Sequence, residues 1–100
     1  MVFDCGLELD DRKLDVVLDH VYRTWPVRDF KYEFKKYNRS DGPWLETIVK
    51  FRLGGGNDIY GVSTILSPND LQRTVVSVYD QLLIRLNGEI KSFLSRLGVI

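Results

Sequence analysis

Residues 79–94 read YDQLLIRLNGEIKSFL, and the shape of the molecule turns on whether a helix passes through Asn87 and Gly88 or stops there. An Asn-Gly pair ordinarily marks a turn or a helix stop, because both residues tolerate the left-handed conformation that ends a helix. Apolar residues nevertheless continue on both sides of it. At about 100° per residue, Leu71, Val75, Val78, Tyr79, Leu82, Leu83, Leu86, Ile90, Phe93, Leu94 and Leu97 fall within an arc of roughly 160°. A break would free the second half to take a new phase, so the unbroken stripe predicts one helix through Gly88. The glycine then costs about 1 kcal/mol against Ala, which a long buried stripe absorbs.

The start of this helix is written just upstream. "SPND" offers Ser67 as N-cap, Pro68 at the first helical position and Asp70 in the capping-box place, and Gly98 follows the stripe as its C-terminal cap. A helix of about 30 residues is ~45 Å long, whereas a strand of about ten residues spans ~33 Å. The rod is therefore expected to outrun the sheet. Its last turns, with Phe93, Leu94 and Leu97, need cover from the other helix, from the N-terminal segment or from a second copy of the chain.

Towards the N-terminus, Phe3, Cys5, Leu7 and Leu9 alternate with Asp4, Gly6, Glu8 and Asp10, the period of a half-buried strand. Leu14, Val17, Leu18, Val21, Tyr22 and Trp25 then form one stripe of an amphipathic helix. Asp10 or Asp11 caps its start, and Pro26 ends it near Trp25. From Asp29 the period returns to two, with Phe30, Tyr32 and Phe34 facing one way and Lys31, Glu33 and Lys35 the other. "NRSDGP" at residues 38–43 makes a turn into a strand in which Leu45, Thr47, Val49, Phe51 and Leu53 share a face. "GGGND" closes a second hairpin, and "IYGVSTIL" supplies the last strand. The expected fold is a single α+β domain over residues 1–100, of order β-α-β-β-β-α. A small, mainly antiparallel sheet carries two helices on one face, the C-terminal one long.

The 100 residues suit one folding unit, and the 44% hydrophobic and 28% charged shares are those of a globular chain. No apolar run approaches the roughly 20 residues that span a bilayer. The opening "MVFDCGLELDD" has acidic residues where a secretory signal has a basic end, so no membrane association and a cytoplasmic location are expected. The single cysteine, Cys5, excludes an internal disulfide. Fourteen basic and fourteen acidic residues cancel, so nucleic-acid binding would need a local patch.

Little in the sequence points to catalysis. His20 is the only histidine and has no companion at metal spacing; Cys5 and His20 have nothing to orient them as nucleophile and base. "LGGGND" joins two strands, whereas phosphate-cradling loops run from a strand into a helix. A binding protein with no cofactor and no small-molecule substrate is expected. Its basic residues divide between two surfaces. Lys31, Lys35, Lys50 and Arg52, with Glu33 and Glu46, belong to the open sheet face. Arg12, Lys13 and Arg23 on the first helix, with Arg73, Arg85, Lys91 and Arg96 on the second, could form a helical phosphate-binding surface. Trp44 and Ile48 project among the charges of the open face and mark it as a place to meet a partner.

"GLELDD", "LETIVKFRLGGGNDIYGVSTILSPNDL" and "VVSVYDQLLIRLNGEI" together resemble the short-form ribosome hibernation factors of bacteria: the opening glycine, acidic and aliphatic residues with a helix cap, the paired strands with a glycine-containing hairpin, and the last helix. Asp70, Leu71, Val75, Asp80, Leu82, Leu86 and Asn87 stand at positions that match that pattern. The resemblance implies non-catalytic binding to small-subunit ribosomal RNA across the channel used by messenger and transfer RNA, through Arg12, Lys13, Arg23, Arg85 and Lys91. The α-β-β-β-α part of the order is also similar to double-stranded-RNA-binding domains, although "SPNDLQR" stands where that family places lysines at the entrance of its last helix. The alternative expectation is a protein-interaction module or small inhibitor, dimeric through Phe93, Leu94 and Leu97 or meeting a protein partner through Trp44 and Ile48.

Overall fold

The computed structural model describes residues 1–72 and 76–100. Its elements are α1 (Asp11–Thr24), β1 (Val27–Arg39), β2 (Gly42–Leu53), β3 (Tyr60–Leu66), α2 (Pro68–Leu71) and α3 (Val78–Arg96). The three strands form one antiparallel sheet in the order β1-β2-β3. Its helix-covered face is set by the alternation along β2, where Leu45, Thr47, Val49 and Phe51 are buried while Glu46 and Ile48 between them are only half-buried. The chain is α+β, a small antiparallel sheet with a long C-terminal helix, as the sequence predicts; it has three helices where two are expected.

α1 forms where its stripe places it. The Asp10 carboxylate accepts from the Arg12 and Lys13 backbone N–H groups, and Trp25, held extended ahead of Pro26, ends the helix. Leu14, Val17, Leu18 and Val21 are buried. Tyr22, on the flank of the stripe, stays 40% exposed and stacks on Phe30 at 5.3 Å. α1 and α3 run in the same direction: the Asp10 N–H donates to the Tyr79 hydroxyl at 2.8 Å near both starts, and the Trp25 indole donates to Asn87 Oδ1 at 2.9 Å further along. Leu82, Leu86, Ile90 and Leu94 close the core beneath them, each worth ~2 kcal/mol of burial.

Three expectations are corrected. α3 does run unbroken through Asn87 and Gly88, but the rod expected from Ser67 to Gly98 is two helices. α2 keeps the Ser67 capping box and then ends, with Gln72 as C-cap; α3 starts afresh with Ser77, whose hydroxyl accepts from the Asp80 N–H. Val75 of the stripe and Arg73 of the basic set lie outside the described residues. The 19-residue α3 is ~28 Å long and does not overhang. Leu94 is fully buried, and Phe93 packs edge-on against Phe51 at 5.9 Å and lies 5.5 Å from Tyr60, so neither forms a protruding contact end. Only Leu97, at the C-cap, remains 46% exposed.

The N-terminal segment, in turn, is not a strand of the sheet. Gly6, at φ 90°, turns it back on itself, so that Val2 bridges Glu8 and the Leu9 N–H donates to the Met1 carbonyl. Phe3 and Leu9 plug the core while Cys5 sits exposed in the turn. What is left uncovered instead is the tip end of β1, exposed from Lys35 to Arg39, in a strand of 13 residues against 7 in β3; the molecule measures 44 × 24 × 24 Å.

Candidate functional site

The face of the sheet turned away from the helices is built by register. Directly opposed residues share a face, so Arg28 with Arg52, Lys31 with Lys50, Glu33 with Ile48, Lys35 with Glu46, and Tyr37 with Trp44 all project to the open side. Arg39, near the tip, joins them. The face therefore carries six cations from β1 and β2 against Glu33 and Glu46. In the sequence, residues 27–53 hold seven basic and four acidic side chains, while residues 1–26 hold three basic and six acidic, so a chain with no net charge is electrically divided.

The Arg28–Arg52 opposition is relieved internally. Asp29 sits where the register shifts, at φ 53°, a left-handed conformation that costs ~1 kcal/mol for a residue other than glycine. There its carboxylate pairs with Arg28 at 2.7 Å and Arg52 at 3.1 Å. Arg28 also donates to the Gly54 and Gly56 carbonyls and ties the second hairpin loop to this corner.

Lys31 and Lys50 have no such relief. They lie directly opposite each other, and among the described residues no side-chain hydrogen bond or ion pair involves Lys31, Lys35 or Lys50. Like charges directly opposite on one face destabilise a sheet, by a few tenths of a kcal/mol to about 1. A depression of about 260 Å³, lined by Lys31, Tyr32, Glu33, Ile48 and Lys50, opens on one side of the pair. A second, of about 250 Å³, lies on the other, between the pair and Asp29, Arg52 and Ile59.

At the hairpin tip the aromatic residues are already engaged. The Arg39 guanidinium lies 5.7 Å from the Tyr37 ring and 5.2 Å from the Trp44 ring, and the Trp44 indole donates to Asp41. The Tyr37 hydroxyl donates to Glu46 at 2.8 Å, which raises its pKa above 10.0. Trp44 and Ile48 are thus on the open face as expected, both half-buried, with Ile48 in the first depression beside the lysines.

The helix-borne candidates are dispersed. Arg85 bonds to the Ile65 carbonyl at 2.9 Å and to Asp70 at 3.0 Å, stapling α3 to β3 and α2. Arg23 pairs with Asp19 at 3.1 Å, and Lys13 lies 5.4 Å from the Tyr79 ring. Arg12 and Lys91 are exposed, and α1 offsets its basic residues with Asp11, Asp15 and Asp19. No group of His, Cys, Asp and Glu side chains able to hold a metal ion occurs among the described residues. None of the described helices is long and apolar enough to cross a membrane.

The Arg28–Asp29–Arg52 cluster and the opposition of Lys31 to Lys50 were not foreseen in the sequence. The signal was present: a two-residue turn at Ser40 and Asp41 dictates every pair from Lys31 to Arg39. No family model, no curated protein and no solved structure matches the chain.

Proposed function

We propose that the chain is a non-enzymatic binding protein that takes the phosphate backbone of RNA on the open face of its sheet. The observation that carries this reading is the lysine pair Lys31–Lys50, opposed across β1 and β2 without a carboxylate partner, with Lys35 further along the same lane. A phosphate placed between two lysines converts their repulsion into two charge-assisted hydrogen bonds, so the ligand relieves what the fold leaves strained. A protein partner is less well served, because the core of a protein interface is depleted in charge, and here the centre of the face is cationic. The resemblance to hibernation factors names small-subunit ribosomal RNA as the first RNA to try.

The test is fluorescence anisotropy with labelled single-stranded and duplex RNA over a salt series. Three lysines on a single strand give a slope of log K against log salt of about −2, and Lys50→Ala reduces its magnitude by about 0.7. Co-sedimentation with small ribosomal subunits, lost at high salt, supports the ribosomal ligand. Absence of binding at low salt, or a slope that Lys50→Ala leaves unchanged, overturns the reading.

A further inference from the structure

We infer that the free edge of β1 is an interface for a second copy of this chain, the two β1 strands pairing antiparallel about Tyr32. The two edges of the sheet differ. β3 is short, and its Ile65 carbonyl already accepts from Arg85. β1 is long, and among the described residues no hydrogen bond engages its backbone from Phe30 to Asn38 on the side away from β2. An unpaired row of N–H and C=O groups of that length is a template for another strand.

Edge strands are usually guarded by charge, and β1 carries Lys31, Glu33 and Lys35 on its open face. Their signs alternate, which makes the guard self-complementary in two registers, about Tyr32 and about Phe34; the second sets Tyr32 opposite Lys36 on the helix side, whereas the first keeps the aromatic residues together. With Tyr32 opposite its own copy, each Lys31 faces the other copy's Glu33 on the open side, twice by symmetry. On the helix side the same register sets Phe30 opposite Phe34, joining two aromatic rows that within one chain run from Tyr22 through Phe30 and Tyr32 to Phe34 at centroid spacings of 5.3, 6.2 and 5.8 Å. Tyr22 and Tyr32, 40% and 39% exposed, are the large side chains such a contact would cover. A shift of the centre by one residue to Glu33 opposes Glu33 to itself and Lys31 to Lys35, so charge selects against it.

The interface engages Lys31, which the RNA reading also uses, so Lys50 is the residue that separates the two: it lies on β2, away from the edge, and Lys50→Ala should weaken RNA binding and leave the oligomeric state unchanged. The direct test is sedimentation equilibrium of the full chain. The wild type is expected to dimerise, Glu33→Lys to weaken dimerisation at least about tenfold, and the exchanged pair Lys31→Glu with Glu33→Lys to restore it. These side chains are exposed, so circular dichroism should show all three chains folded alike. Hydrogen exchange of the wild type provides a second readout, with β1 amides between Phe30 and Phe34 better protected in concentrated than in dilute solution. A wild type that stays monomeric at about 100 μM, a Glu33→Lys chain that dimerises as well as the wild type, or an exchanged pair no better than Glu33→Lys overturns the inference.

Discussion

Tyr32 shows how one side chain ties the edge strand to the helix layer. Its hydroxyl donates to the Asp15 carboxylate on α1 at 2.8 Å, and this bond, then burial and the charges of Asp15 and Asp19, raise its pKa above 10.0. A group whose folded pKa lies above its unfolded value contributes stability that is complete below the unfolded value and is lost as pH rises through the folded one. Tyr32→Phe, which keeps the ring, should therefore lower stability at pH 7 by ~0.5 kcal/mol, the bond being well exposed to solvent. At fixed protein concentration, the difference between the two chains in thermal melts should vanish above the tyrosine titration. A difference that persists at pH 12 would show that the hydroxyl acts through something other than this bond.

At the scale of elements, α3 explains why a turn-like pair can sit inside a helix. Asn87 is there for its side chain, which accepts the Trp25 indole N–H. Gly88 is exposed, and a Cβ added to it would meet nothing within 4 Å. Gly88→Ala should accordingly stabilise the protein by about 1 kcal/mol in urea unfolding; a neutral or destabilising result would mean that the residue is not held in helical geometry. The apolar stripe predicted this continuity but was blind to the break upstream, since Leu71 and Val78 are both buried and keep the phase across it. Ser77-Val78-Tyr79-Asp80 was the missed signal, a serine cap with an acidic residue three places on, preceded by the β-branched run Thr74-Val75-Val76. At the N-terminus the alternation of Phe3, Cys5, Leu7 and Leu9 was real, yet only Phe3 and Leu9 are buried, because Gly6 turns the chain between them. The open face was legible as a set of residues, its lysine opposition only through the turn. That Arg85 is held by Asp70 was not legible, since α2 and α3 meet only in the folded chain.

The whole molecule is an asymmetric hairpin on a compact base. β2 is covered along its length: Pro43, Leu45, Thr47, Val49 and Phe51 are buried, and α2 closes over the tip end, where a Cβ added to Gly42 would lie 3.1 Å from the Pro68 side chain. β1 beside it is exposed from Lys35 to Arg39 on both faces, its contact with the base there being Lys36, which donates to the Val2 carbonyl and lies 6.0 Å from the Phe3 ring. Local opening free energy follows buried apolar contact, so the two strands of one hairpin should differ in protection although they bond to each other. Native-state hydrogen exchange should place the amides of Leu45, Val49 and Phe51 among the slowest, opening only with global unfolding, and those of Lys36 to Arg39 among the fastest. If β1 pairs with a second copy about Tyr32, protection should peak at the centre of β1 and fall towards this tip. Monomeric Glu33→Lys should lose the peak and keep the slow core of β2. Equal protection along both strands would contradict the uneven cover on which the open face and the free edge both depend.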